Sequence, residues 1–375
     1  MGMEGKKLCI LFSHASSYRE PIYRLIDRTY RCEWHFSDEE GGVPRFDTNI
    51  FENVAVHKHR RFGRFHWIDG INGLLAKREN KTFLMLAGTV DLSCWLFFLR
   101  AKLFYPQKKI YLWGHGWYGK ETRLEAFIKR LIFNSVSGIF VYGNYARKLM
   151  IETGIDGKKI FVLHNSLNYA EQLDLRAKIE RSPVYESHFG NTDPNLIFIG
   201  RLTAVKKLNQ VIRALAALKG RGVSCNLTFV GDGPMKETLI RLADDLDLRD
   251  RVWFYGASYD EKANAELIYN ADLCVAPGNV GLTAIHAMMF GCPVVSHNDF
   301  KWQMPEFESI VPGVTGDFFE RDRVESLTGV IERWLRAKTS CREEVRTSCF
   351  REIDTQWNPG FQIEVIKNNL DFAKE

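Results

Sequence analysis

Short apolar runs alternate with amphipathic segments through the first half of the chain. The run at residues 7–13 opens into a polar loop, and Ile22, Leu25 and Ile26 then lie on one helical face. Further strands are predicted at 82–87, 109–113, 138–142 and 160–164, and helices at 92–104 and 123–133. Apolar strands joined by helices indicate a parallel sheet covered on both faces.

The second half repeats this alternation. Strands are predicted at 195–199, 226–230, 252–255, 273–276 and 293–296, and helices at 207–218, 235–246, 260–270, 282–290 and 325–337. Residues 170–194 are rich in charged and turn-forming residues, which is typical of a linker.

The fold class is therefore predicted to be α/β, with two Rossmann-like, doubly wound domains that face each other across a cleft. The predicted boundaries are an N-terminal domain at 1–169, a linker at 170–194, a C-terminal domain at 195–352 and a helix at 353–375 that packs back on the first domain. A chain of 375 residues suits two domains.

Composition and charge narrow the class of protein further. Apolar residues make up 45% and charged residues 26% of the chain, and the net charge of +5 is too small to indicate a nucleic-acid binder. The eight cysteines show no Cys-x-x-Cys pair and are predicted to be buried free thiols of a reducing cytosol. The apolar run at 8–12 is too short for a secretory signal, and Gly88 and Asp91 interrupt the run at 83–99, so we expect a cytoplasmic protein.

Two cations follow the first strand of the second half. The strand ends at Gly200, so Arg201 lies where ligands of parallel sheets bind, and Lys206 is predicted near the start of the next helix. Two cations beside a helix N-terminus form a phosphate site, although a solvated turn remains an alternative for an isolated pair.

Two further turns of the second half also suggest the binding of a phosphate group. Gly231 and Gly233 form a tight turn after the next strand. After residues 273–276, the amides of residues 280–283 begin a helix and are predicted to bind a diphosphate that Gly281 lets approach. His286, one turn later, is either a ligand contact or a packed residue. The three turns lie at one sheet edge and together predict a phosphate-bearing ligand.

These motifs resemble the C-terminal domain of the family-4 glycosyltransferases of the GT-B fold. The resemblance is strong over residues 195–297 and weaker in the first half, where His164-Asn165-Ser166 resembles the Asn-Gly that ends that half in the family. The matching segments are Gly200-Arg201-Leu202 with Lys206, Val230-Gly231-Asp232-Gly233-Pro234, Ala271-Asp272, Ala287-Met288 and Gly291-Cys292-Pro293-Val294-Val295.

The resemblance implies a retaining enzyme that uses a UDP- or GDP-linked sugar without a metal or other cofactor. It assigns Arg201 and Lys206 to the donor diphosphate and to stabilisation of the leaving group. The other residues that it places around the donor are Gly200, Gly231, Gly233, Asn279, Val280, Gly281, Leu282, Thr283 and His286. The chain departs from the family at its two glutamates, where it has Gly278 and His286.

The first half contributes candidate residues of the acceptor side. His115 lies between two glycines after a predicted strand and resembles the family histidine near the reaction centre, where it would position or polarise a hydroxyl. His14 and Arg19 follow the first strand and are predicted to line the acceptor site. Trp117 is predicted either to stack on a sugar or to pack in the core.

We therefore expect a glycosyltransferase that extends a surface glycan or its lipid-linked precursor, as in lipopolysaccharide, O-antigen or exopolysaccharide synthesis. A non-catalytic nucleotide-sugar binder and a sugar-nucleotide epimerase remain alternatives. Residues 120–133 form a basic amphipathic helix, which either covers the sheet or rests on the cytoplasmic face of the inner membrane.

Overall fold

The computed structural model describes residues 6–39, 44–86, 91–338 and 341–372. The chain divides into two compact units. The first comprises Met1–Asn168 and Pro359–Glu375, and the second comprises Tyr169–Asn358. Each unit contains a parallel sheet covered by helices, as the sequence predicts.

A seven-stranded parallel sheet forms the centre of the first unit, in the order β3-β2-β1-β6-β7-β8-β9. Its strands are β1 (Lys7–Phe12), β2 (Arg31–Ser37), β3 (Val54–His57), β6 (Thr82–Leu86), β7 (Lys109–Gly114), β8 (Gly138–Val141) and β9 (Ile160–Val162), and a separate hairpin contains β4 (His59–Phe62) and β5 (Phe65–Ile68). The helices of this part are α1 (Glu20–Thr29), α2 (Leu92–Phe104), α3 (Arg123–Ser135) and α4 (Asn144–Glu152).

The strands at the centre of this sheet follow the predicted apolar runs because both of their faces are buried. One core cluster includes Cys9, Phe83 and Leu112, and the cluster on the other face includes Ile10, Leu84 and Trp113. Adjacent strand residues point to opposite faces, so each run contributes to both clusters. Ala87 and the predicted turn at Gly88 lie outside the described residues.

A six-stranded parallel sheet forms the second unit, in the order β12-β11-β10-β13-β14-β15. Its strands are β10 (Asn195–Ile199), β11 (Asn226–Val230), β12 (Val252–Gly256), β13 (Leu273–Ala276), β14 (Val294–His297) and β15 (Gly316–Phe319). Its helices are α5 (Tyr169–Arg176), α6 (Val184–Phe189), α7 (Asn209–Gly220), α8 (Lys236–Asp245), α9 (Glu261–Asn270), α10 (Thr283–Met289), α11 (Val324–Lys338) and α12 (Arg342–Gln356). The strands β10 and β13 are neighbours, so their carboxyl ends lie side by side.

The predicted linker at 170–194 is wrong, because α5 and α6 occupy most of this segment and belong to the second unit. Arg176 forms an ion pair with Asp354 at 2.8 Å, and the Tyr185 hydroxyl donates to the carbonyl of Leu267 at 2.8 Å. The charged composition reflects the solvent-facing sides of two short helices.

The C-terminal segment divides at residue 358. Helix α12 ends at Gln356 in the second unit, and a final helix, α13 (Pro359–Asn369), belongs to the first unit and packs against α1. The predicted helix start at 353 is therefore six residues too early. Gln362 of α13 is buried and donates to the carbonyl of His164 at 2.8 Å.

None of the eight cysteines forms a disulfide, and seven of them are buried. Among the residues that the structure describes, no helix has the length and apolar character needed to cross a bilayer.

Candidate active site

In the second unit, the turns singled out in the sequence meet at the carboxyl ends of β10 and β13. Gly200 ends β10 with φ +141°, a conformation that favours glycine. The Thr283 hydroxyl, at the start of α10, donates to the carbonyl of Ile199 at 2.9 Å. The first turn of α10 is therefore held against the end of β10.

Lys206 lies in a single turn of 3₁₀ helix at Ala204–Lys206, before the helix that the sequence placed at 207. Lys207 adopts φ +52° and separates this turn from α7, which begins at Asn209. The Lys206 ammonium donates to the carbonyl of Asn279 at 2.7 Å.

The electrostatic surroundings of Lys206 weaken its hold on a proton. Burial lowers the pKa of Lys206 to about 8, and the nearby Glu306 carboxylate opposes this shift. Glu306 is itself buried. An anion beside the ammonium would favour the protonated form.

Arg201 is exposed, and its guanidinium makes no ion pair or hydrogen bond within the part of the chain that the structure describes. It follows Gly200 directly, whose amide donates to the carbonyl of Val230 at 2.9 Å. The backbone on which Arg201 is mounted is thus fixed, while its five N–H donors face solvent. This arrangement suits an anion that arrives from solution.

Two glycines allow these turns to approach one another. A Cβ on Gly231 would lie 2.0 Å from the carbonyl oxygen of Gly200, and a Cβ on Gly278 would lie 2.0 Å from that of Val205. The Gly278 amide also donates to the carbonyl of Lys206 at 3.0 Å. Gly278, where the resemblance places the first of the family's two glutamates, therefore fits against residues 205–206 only because it has no side chain.

The amide of Val280 is not available to a ligand, contrary to the prediction for residues 280–283. It donates to Oε1 of Gln303 at 2.9 Å. The Gln303 amide in turn donates to the Ser296 hydroxyl at 2.7 Å and to the carbonyl of His297 at 2.9 Å. Gln303 is buried and supports the loop, and it was not predictable from the sequence because no local motif surrounds it.

The amides of Gly281, Leu282 and Thr283 stand at the N-terminal end of α10, where a helix leaves its first N–H groups without intrahelical partners. Gly281 has φ +55°, which favours glycine. The Asn279 side-chain oxygen is shielded from solvent and has no hydrogen-bond partner among the described residues. Gly233, the other glycine of the predicted site, packs against Leu202 beside the Arg201 turn.

His286 lies within hydrogen-bond distance of a carboxylate that no sequence motif indicated. Its Nε2 lies 2.9 Å from Oε1 of Glu261, on the first turn of α9, and the same oxygen accepts from Gln172 at 2.7 Å. Burial would raise the pKa of Glu261, but the hydrogen bonds from His286, Gln172 and Asn264 and the charge interaction with His286 together lower it. The site therefore contains a carboxylate from another helix beside the position of the second family glutamate.

The first unit contains a cavity of about 330 Å³ beside the carboxyl ends of its central strands. Arg19, His115 and Tyr142 line it, and the Arg19 guanidinium donates to the Tyr142 hydroxyl. Burial, together with the nearby Arg19 and Lys129 cations, lowers the pKa of His115 to about 4. His115 is therefore neutral at physiological pH, and its Nδ1 has no hydrogen-bond partner in the described ranges.

The other two predicted acceptor-side residues lie elsewhere. His14 is half-buried, with its Nδ1 3.3 Å from the carbonyl of Glu39. Trp117 is buried in the core and packs near Phe133 with ring centroids 6.4 Å apart, so the structure supports the packing alternative for this residue. A tryptophan in the core cannot stack on a sugar.

Comparison with known proteins identifies the class. Residues 185–348 match the family model of the group 1 glycosyl transferases. The match confirms the resemblance inferred from the motifs at 195–297. The fold of the whole chain is that of the GT-B glycosyltransferases, as solved structures show.

Particular relatives agree with this assignment. The chain is 37% identical over 103 residues to the GDP-mannose-dependent α-(1-6)-phosphatidylinositol dimannoside mannosyltransferase of Mycobacterium tuberculosis, and the match covers 27% of this chain and 26% of that protein. The chain thus spans about a quarter of the length of this curated relative. Among solved structures, Anabaena HepE in complex with UDP has a TM-score of 0.70 at 15% identity, covering 96% of this chain and 99% of that one. The lipopolysaccharide outer core galactosyltransferase WaaB has a TM-score of 0.70 at 14% identity, covering 97% and 100%.

Proposed function

We propose that the protein is a retaining glycosyltransferase that moves a sugar from a UDP- or GDP-linked donor to a surface glycan or its lipid-linked precursor. The observation that carries the proposal is the convergence of Arg201, Lys206 and residues 278–283 at one sheet edge of the second unit. The family match at 185–348 and the name of the mycobacterial relative support it.

The proposed chemistry depends on stabilising charge. Negative charge builds on the β-phosphate as the bond to the sugar breaks, and fixed cations and N–H dipoles stabilise this charge most when they are already in place. Lys206 is fixed by its bond to Asn279 and Arg201 by its turn. Both cations act on the leaving diphosphate.

The remaining site residues hold the donor. The amides of residues 281–283 bind diphosphate oxygens, and the shielded side-chain oxygen of Asn279 accepts a hydrogen bond from a sugar hydroxyl. His286, oriented by Glu261, contacts the ribose. No metal is required, because the two cations supply the positive charge.

His115 acts as a neutral imidazole. Because its pKa lies near 4, its Nδ1 or Nε2 accepts or donates a hydrogen bond without carrying charge. We assign it to positioning a hydroxyl, and Arg19 and Tyr142, on the same cavity, to the acceptor.

The test replaces each cation by alanine. Arg201→Ala and Lys206→Ala should each remove about 2–5 kcal/mol of transition-state stabilisation, or about 30- to several-thousand-fold in rate. The measurement is transfer of labelled sugar from UDP- and GDP-sugars into lipid-extractable or polymeric product, with Lys207→Ala as the control. Near-normal rates in both variants would refute the assignment.

The same assay separates the alternatives. A non-catalytic binder, suggested by Gly278 in place of a glutamate, binds UDP or GDP without releasing either from the donor. An epimerase converts the nucleotide sugar in the absence of acceptor.

A lipid-linked acceptor would require contact with a membrane, and α2 and α3 provide a suitable surface. These neighbouring helices expose Leu99, Leu103, Phe104, Leu124, Phe127 and Leu131, each more than half exposed. Arg100, Lys102 and Arg123 lie on the same two helices, and α2 contains no acidic residue. An apolar face with basic neighbours suits an anionic bilayer.

Vesicle sedimentation tests this contact. Phe127→Glu and Leu103→Glu should each reduce binding to vesicles that contain phosphatidylglycerol, and Val314→Glu, on an exposed valine of the second unit, should not. Unchanged binding of the first two variants would contradict a lipid-facing surface. A dimer broken by Phe127→Glu would instead indicate a second copy of the chain as the partner.

A further inference from the structure

Three side chains that commonly bind metals meet at one end of the first unit. Glu39 follows β2, His59 lies in β4 and His66 in β5, and one ligand atom of each lies within 4.8 Å of the other two. Nε2 of His59 is 2.8 Å from Nδ1 of His66, which is 3.7 Å from Oε1 of Glu39. All three residues are half-buried.

The local fold holds these side chains on one surface. Strands β4 and β5 pair in antiparallel register, with Arg61 opposite His66, and His59 is two residues before Arg61. The two histidines therefore point to the same face of the hairpin. The His59 amide donates to the Asp38 carboxylate at 2.6 Å, which fixes the hairpin beside the segment that carries Glu39.

The distances suit a tetrahedral cation. Zinc binds imidazole nitrogen and carboxylate oxygen at about 2.0–2.2 Å, which places its ligand atoms about 3.4 Å apart. The observed 2.8 and 3.7 Å lie on either side of this value, so these two pairs reach it with shifts of about half an ångström or less. Two imidazoles and one carboxylate are a donor set that zinc and its neighbours in the first transition series prefer.

The neighbouring histidine, glutamate and cysteine side chains are less suited to binding a metal. His57 directs Nδ1 to the carbonyl of Asp69 at 2.8 Å, and its Nε2 lies 2.8 Å from His35, whose other nitrogen meets Glu33. Glu33 also pairs with two lysines, and burial raises the pKa of the adjacent Cys9 thiol well above its usual range. These groups are already engaged or protonated, so they compete poorly for a metal.

The three side chains lie on the wall of the 330 Å³ cavity that Arg19 and His115 also line. We propose that Glu39, His59 and His66 form a binding site for a zinc-class divalent cation, with the fourth coordination position open to this cavity. Three protein ligands and one open position allow the metal to bind an oxygen atom of a molecule that enters. The site faces the cavity assigned above to the acceptor, but the proposal is argued from the three side chains and does not require the proposed transferase activity.

Calorimetry of the tag-free, reduced full-length chain with Zn²⁺ tests the proposal. We expect one equivalent to bind, and the affinity to fall at least tenfold in His59→Gln, in His66→Gln and in Glu39→Gln. His188→Gln removes a histidine of the second unit and should bind zinc like the wild type. Thermal unfolding of each variant shows whether it is folded, and Glu39→Gln, at a loop position, keeps the test open if a histidine variant is not.

Cobalt identifies the ligands directly. Co²⁺ bound by nitrogen and oxygen gives weak visible bands, whereas a thiolate ligand adds a strong near-ultraviolet charge-transfer band. The proposal is overturned if the wild type binds no zinc, if the three variants bind it as tightly as the wild type, or if cobalt shows thiolate ligation.

Discussion

Nucleotide binding should depend on pH through Lys206. Its ammonium donates to the carbonyl of Asn279, and burial lowers the pKa of Lys206 to about 8 although the Glu306 carboxylate opposes the shift. Only the protonated form attracts a diphosphate. Affinity for UDP or GDP should therefore weaken as the pH rises through 8, which is opposite to the effect of ionising a phosphate.

The magnitude follows from the protonated fraction of the free protein. With a pKa of about 8, this fraction falls from about 0.9 at pH 7 to about 0.1 at pH 9. The dissociation constant should thus rise about tenfold over this interval, which corresponds to about 1.4 kcal/mol. The bound diphosphate raises the pKa of Lys206 in the complex. The affinity for the nucleotide therefore keeps falling above pH 8 and does not level off at that pH.

Isothermal titration with UDP and with GDP from pH 7 to pH 9 measures the effect. Lys206→Arg keeps its charge throughout, because guanidinium does not deprotonate in this range, and should give a nearly flat profile. Lys206→Met has no ammonium at any pH and should bind at pH 7 at least as weakly as the wild type binds at pH 9. Lys207→Met controls for general loss of positive charge.

Two results would refute this reasoning. A wild-type affinity that is constant between pH 7 and pH 9 would show that the Lys206 ammonium does not contact the nucleotide. Equal pH dependence in the wild type and in Lys206→Arg would assign the titration to another group.

Three further predictions concern single positions. Gly278→Ala should lower the free energy of unfolding in urea by about 1–3 kcal/mol, because its Cβ would meet the Val205 carbonyl at 2.0 Å. Gly220→Ala is the control and should not destabilise the protein, because a Cβ there has open space. Because burial lowers the pKa of His115 to about 4, its imidazole proton resonance should stay at the neutral-form position from pH 5.5 to pH 8, and a midpoint near 6.5 would contradict the burial. Glu261→Gln removes the carboxylate beside His286 and should raise the donor KM about two- to tenfold with little change in kcat, as expected for about 0.5–1.5 kcal/mol of lost hydrogen bonding; a fall in kcat alone would argue against a binding role.

Most of the buried strands were predictable from the sequence, and the exposed ones were not. Strand β2 is an exception, because five of its seven residues are buried but Arg31, Glu33 and His35 interrupt its apolar positions. β10, β11 and β13 are buried along their whole length and consist mostly of apolar residues, so the predicted bounds match those observed. The hairpin strand β4 is mostly exposed and carries two arginines, and it therefore leaves no apolar pattern. β15 pairs only at the edge of its sheet and has two half-buried residues.

The site was predictable where its residues lie in local motifs. Gly200, Lys206 and the turn at 278–283 stand directly after strands, and the parallel sheet brings such positions together. Gln303 accepts from the amide of Val280, 23 positions earlier in the chain, and Glu261 contacts His286, 25 positions later. A glutamate in the first turn of a helix is common, so nothing in the sequence distinguishes Glu261 from an ordinary helix start.

The close fit between Gly278 and the Val205 carbonyl constrains how this lineage can diverge. A glutamate side chain at position 278 would overlap the backbone of residues 205–206 unless that backbone shifted. While residue 278 is a glycine, nothing displaces that backbone. The backbone at 205–206 and the side chain at 278 are thus coupled, so a larger residue at 278 requires a compensating change in that segment.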